Sequence, residues 1–249
     1  MATALPVSAP SSTRLAGRRF DHLFFAGMIL LMLATVFLGF ARTYFLAGVF
    51  HAPLPSAIIH IHGALFSCWM LLVLTQTTLV SAHRVDIHRK LGLAGFGLAC
   101  LMVVMGVLAT ADELRRMGSL PPPPDMRAFS IVPLTSIALF GLFIGLAYRA
   151  RKDSALHKRL ILLGMTDMMV AAIARWPFPF VYQIVGNAEL VSCFFIAALL
   201  LYDLWSTHRI HRATLWGGIL IVFVQQTRLH IGATAAWHTF AAWIQSWGV

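Results

Sequence analysis

Apolar runs cover residues 22–47, 56–80, 90–111, 128–148, 158–176, 188–206 and 213–236, each long enough to cross about 30 Å of hydrocarbon as a helix. Composition agrees. Of 249 residues, 59% are hydrophobic and 11% charged, where a soluble domain carries about 25% charged residues. Mean hydropathy is +0.80. The expected fold is an all-α integral membrane protein, with a polar basic tail over 1–20 and a bundle of seven transmembrane helices over 21–249. The tail lacks an apolar stretch of its own and the first run is too long for a signal peptide, so that run is expected to be retained. Connections are short. The one notable loop, 112–127, carries PPPP at 121–124, a stiff spacer. Cys68, Cys100 and Cys193 all fall within apolar runs without a CxxC pair, and read as small buried apolar residues, not as a disulfide or zinc framework.

Lysine and arginine suggest an orientation. With the N-terminus cytoplasmic and the C-terminus outside, all but 6 of the 19 cations face the cytoplasm. The exceptions are Arg42, Arg115, Arg116, Arg127, Arg175 and Arg228. The net charge of +10 is then spread over loops facing anionic lipid, and nucleic-acid binding is not needed to explain it. A bacterial plasma membrane is the expected location. The Ser-, Ala- and Arg-rich opening makes the mitochondrial inner membrane the alternative.

IHRKLGLAG at 87–95, LHKRLILLG at 156–164 and IHRATLWGG at 210–218 form a weak repeat, and FDHLFFAG at 20–27 begins the first run similarly. His22, His88, His157 and His211 thus mark the start of alternate spans, where basic residues anchor helices at the interface. His88 and His157, in the closest copies, are a candidate inner site.

ARTYFLAGVF at 41–50, HIHGALFSCW at 60–69, HRVDIHRKLG at 83–92 and TRLHIGATAAWH at 227–238 resemble an uncharacterised bacterial family of multi-spanning membrane proteins. The resemblance covers most of the chain after residue 20. It implies architecture and assigns no catalytic residue.

Chemistry-bearing residues gather at one depth. Arg42, Arg175 and Arg228 lie roughly 25–30 Å along their helices from His22, His157 and His211. His60 and His62 open the second span at that level, and His230 reaches it on the seventh. Such a set suits a planar anionic ligand held by guanidinium forks, with haem b the leading candidate and two imidazoles as axial ligands. No metal other than a haem iron, held by His230 with His60 or His62, is expected. Residues two apart in a helix point about 200° from one another, so only one of His60 and His62 faces the bundle. Gln226, His230, Thr234 and His238 recur every four residues as a polar stripe.

Asp167 lies about 15 Å along its helix from His157, near the bilayer midplane. A carboxylate there faces protein. It is either a proton relay or a partner for Thr135 or Ser136 on the fourth span. Sequence signatures of soluble enzymes, GxSxG, GxxxxGK[ST], HExxH and the dinucleotide fingerprint, are missing. Two readings follow: a haem-binding or quinone-reactive redox protein, or a transporter or binding protein for a small anion, with Asp167 moving protons. A structural subunit is the third.

Overall fold

The computed structural model describes residues 12–53, 55–117 and 125–247. The PPPP spacer at 121–124 lies outside the described residues. Helix α1 (Ser12–Phe40) takes in part of the expected polar tail and runs on through a π-helical turn (Ala41–Phe45). Helices α2 (Ala57–Ser81) and α3 (Val85–Met117) form a hairpin. A one-turn α4 (Met126–Phe129) leads into α5 (Ile131–Arg149). Then come α6 (Ser154–Thr166), α7 (Met169–Ile173), α8 (Pro179–Val185), α9 (Ala188–Thr207), α10 (Arg212–Gly232) and α11 (Ala235–Gln245).

Local chemistry sets these boundaries. The side chains of Ser56, Asp125, Asp153, Asn187, His211 and Thr234 each accept a backbone N–H in the first turn of α2, α4, α6, α9, α10 and α11. At the other ends, His83 (φ 58°) and His208 (φ 54°) take the left-handed conformation that turns the chain after α2 and α9.

Five segments are long and apolar enough to cross a membrane: Phe20–Phe45, Ala57–Ser81, Val85–Arg116, Met126–Arg149 and Ala188–Thr207. The protein is therefore a membrane-associated, apolar-helix-rich assembly, and the expected seven-helix bundle is corrected. The run at 158–176 fails because the helix breaks at Asp167, leaving α6 with 13 residues and α7 with 5, where a span needs about 20. The run at 213–236 fails through polarity. Helix α10 carries Gln225, Gln226, Arg228 and His230 within its 21 residues. The cation assignment behind a cytoplasmic N-terminus and an outside C-terminus is drawn for seven crossings and does not carry over loop by loop to five candidate spans.

The α2–α3 hairpin joins the rest through α5, which also packs along α6 and α10, while α1 lies against α2 and α7. The core sits at this junction, on Met32, Met102, Phe140, Leu163, Ile173, Leu199 and Ile221. A Cβ at Gly39 would strike the Ala172 carbonyl, so α1 and α7 meet backbone to backbone.

Candidate functional site: two buried charged layers

The break after α6 is where the polar chemistry collects. Asp167 accepts from Ser136 Oγ on α5 (2.5 Å), Gln225 Nε2 on α10 (2.7 Å) and Arg228 Nη1 on α10 (3.2 Å). Ser136, expected from sequence as one of two partners, is the one used. The remaining edge of Arg228 turns to α9, where Nε and Nη2 both donate to Glu189 Oε1 at 2.9 and 2.5 Å. Gln225 Nε2 also reaches Ser192 Oγ at 3.1 Å. Asp167, Gln225 and Arg228 are each 1% exposed, and the Glu189 side chain 15%. Three donors thus converge on Asp167 in the interior, while Glu189, in the first turn of α9, is the member nearest a surface. One guanidinium faces two carboxylates. With both ionised the cluster carries net negative charge in a low-dielectric setting, which one added proton would cancel.

A second layer lies at the opposite end of the same helices. Arg159 of α6 donates from Nε and Nη2 to Asp203 Oδ1 of α9 at 3.0 and 2.5 Å, and from Nη1 to the Ala155 carbonyl at 2.7 Å. Asp203 Oδ2 accepts from Thr214 Oγ1 (2.6 Å) and the His211 backbone N–H (3.0 Å) at the start of α10. Beside it, Asp21 of α1 is bound by Lys158 and by Tyr202 Oη, the latter at 2.5 Å. Here the charges balance.

Each of α6, α9 and α10 contributes to both layers. Along α9 the layers are about 21 Å apart, and along α10 the same. Buried Leu163, Ile196, Leu199 and Ile221 fill the interval. Glycines 217 and 218 admit it, because a Cβ at either would meet Leu163 or Ile196 at 2.6–2.8 Å.

The residues singled out in the sequence are distributed differently. Arg42 and Arg175 flank the end of α1, the first over the Phe50 ring (5.6 Å) and the second over Phe40 (4.9 Å). Arg175 also donates to the Ala171 carbonyl at 2.6 Å. Arg228 is committed to the buried carboxylates. His230, two residues on, is exposed and bonds within its own helix to the Gln226 carbonyl. Helix α10 ends at Gly232 and Thr234 caps α11, so the four-residue polar stripe is interrupted. His238 instead meets Asp125 at 3.0 Å. His60 is exposed, with its carbonyl taken by Tyr44 Oη, whereas His62 is half-buried against Phe66. At the other end of the hairpin, His157 Nδ1 donates to the Ala147 carbonyl at 2.8 Å, and His88 lies within its electrostatic reach. Cys68 and Cys100 are exposed and free, in place of the burial expected of them, and Cys193 is half-buried and also free.

Among the described residues, His62 Nδ1, Trp69 Nε1, Gln76 Oε1 and His88 Nδ1 are buried without a hydrogen-bond partner, and all four belong to the α2–α3 hairpin. No group of three or more His, Cys, Asp or Glu among the described residues is placed to hold a metal ion. A haem iron, which takes one or two imidazoles, is untouched by that finding.

Glu189, Gln225, Ser192, Arg159, Asp203 and Thr214 were not read as site residues from the sequence. Two of them left a signal. Glu189 and Asp203 are the acids of the run 188–206, one at each end, and a carboxylate in such a run calls for a partner. No protein-family model, curated protein or solved structure matches the chain.

Proposed function

We propose that the protein is a proton-coupled carrier of small carboxylate anions in a bacterial plasma membrane, with Arg228 as the anion-binding group. The observation that carries this is the two-sided commitment of Arg228: one edge is held on Asp167, and the Nε–Nη2 fork rests on the carboxylate of Glu189. A guanidinium fork matches a planar carboxylate. Glu189 occupies the place a substrate carboxylate would take, and it is the member nearest a surface. Protonation of Glu189 removes its charge and weakens its hold on the fork, and an incoming carboxylate replaces it. One proton and one anion then enter together without net charge. Asp167, with three donors, keeps Arg228 in place meanwhile. The helix break at Asp167 supports the same reading, since interrupted helices are where carriers bind their ions. So does the second layer across an apolar interval, the arrangement an alternating gate needs.

The test is uptake by protein in liposomes with acid outside. Radiolabelled lactate and gluconate should accumulate and should be released by a protonophore, while inorganic phosphate should not accumulate. Phosphate uptake without carboxylate uptake overturns the substrate class. No uptake of any of the three overturns the carrier.

One observation supports a second reading, a haem-binding or quinone-reactive protein. The unpartnered Nδ1 atoms of His62 and His88 mark the two ends of the α2–α3 hairpin. His88 with His157 would be the pair to hold an iron at one end, and His62 an imidazole at the other; a bound haem would supply one-electron chemistry. Protein expressed with ample haem should then show a Soret band that weakens in His62→Ala and in His88→Ala. A colourless, stable protein removes haem from this reading and leaves the carrier standing.

A further inference from the structure

Helix α10 begins on an unusual cap. His211 is its N-cap residue, and the Nδ1 atom of its imidazole accepts the Ala213 backbone N–H at 3.1 Å. Ser, Thr, Asp or Asn normally fills this position, and each accepts at neutral pH whatever small change of acidity follows. An imidazole accepts at Nδ1 only when neutral with its proton on Nε2; once doubly protonated it has donors alone. The same residue is tied to the second charged layer, because its backbone N–H donates to Asp203 Oδ2, the oxygen that also takes Thr214 Oγ1.

We infer that His211 is a proton-operated latch on the Arg159–Asp203 layer, closed when the imidazole is neutral and caps α10, open when it is protonated. Its surroundings fix the direction. Arg159 and Lys158 face it from α6, Asp153 from the N-cap of α6, and Asp203 from α9. Burial, and then Arg159, hold its proton affinity below the ordinary value of 6.5; Asp203 and Asp153 oppose this, and Lys158 adds to it. The proton therefore binds less well in the capped state than in a released one. Cap stability is complete above about pH 6.5 and is lost as pH falls below it. On protonation the Ala213 N–H loses its acceptor, and the new N–H donor of the imidazolium competes with Arg159 for Asp203. One proton thus frees the first turn of α10 and loosens the ion pair that joins α6 to α9.

As regulation of the carrier this rests on the reading given above, since opening this layer exposes the route from the Glu189 end. The latch itself can be read without transport. Full-length protein in nanodiscs, labelled with ¹⁵N-histidine, should show one resonance, absent in His211→Asn, that is neutral with its proton on Nε2 at pH 7.5. It should titrate below 6.5. Amide exchange at Ala213 and Leu215, taken relative to the intrinsic rate at each pH, should rise about five- to tenfold over the same interval, the size that loss of an N-cap implies. In His211→Asn, which caps without titrating, exchange should stay low throughout; in His211→Ala it should be high throughout. If His211→Ala does not fold, the Asn variant still decides. An Nδ1–H tautomer, or an exchange rise of equal size in His211→Asn, overturns the latch. A latch that works in protein without carboxylate uptake overturns the carrier and leaves the latch intact.

Discussion

Arg228→Met should lower the thermal midpoint more than any other single substitution at the Glu189 end of the bundle. Methionine fills the volume but leaves Asp167 and Glu189 facing each other without a cation, Asp167 at 1% exposure. Removing one partner of a buried pair costs about 3–5 kcal/mol, chiefly because the other charge stays behind. Arg228 also supplies donors to both carboxylates and to Ser136 Oγ, so several bonds are lost together. The companion experiment separates this cost from packing. Arg228→Met combined with Asp167→Asn and Glu189→Gln removes all the charges, and should recover most of the midpoint in a detergent melt followed by tryptophan fluorescence. Equal destabilisation in the single and triple variants would show that shape, not charge, sets the penalty.

Asp203→Leu should be nearly as severe, at about 3–5 kcal/mol. Asp203 is fully buried and satisfies Arg159, Thr214 and the His211 backbone N–H. Leucine strands a guanidinium whose other bond is the Ala155 carbonyl. Asp203→Asn keeps acceptors for part of this set and should cost about 1–3 kcal/mol, near the price of one unsatisfied buried group. The double variant Arg159→Met with Asp203→Leu should be less damaging than Asp203→Leu alone. Denaturation in mixed micelles across the four proteins measures the order. A double variant worse than Asp203→Leu alone would contradict ion pairing as the basis of this layer.

The parts of the fold legible in the sequence are those decided locally. Long apolar runs reported the helices, and the short gap between the runs 56–80 and 90–111 reported the tight turn between α2 and α3, now seen at His83. Asp167 was legible as a buried outlier with Ser136 among its partners, because depth along a helix follows from counting residues. The break it sits in was not legible. A run such as 158–176 has the length and hydropathy of a continuous span, and the interruption depends on donors brought from α5 and α10. The partners of Arg228 were hidden for the same reason. Counting placed it correctly near the end of a helix, but its direction depends on Glu189, 39 residues earlier in the chain. His60 and His62 show the limit plainly: periodicity proves that they diverge, and only the packing of α3 selects His62 as the inward one.

The most direct measurement of the central claim compares wild type with Glu189→Gln in the same liposomes, reading lactate movement both with and without a proton gradient. Glutamine resembles the protonated glutamate and can release no proton. The account predicts that Glu189→Gln exchanges labelled for unlabelled lactate at equal pH on both sides, yet fails to accumulate it when the outside is acid. Wild type should do both. Gradient-driven accumulation that survives in Glu189→Gln would contradict Glu189 as the coupling group and Arg228 as the fork it guards.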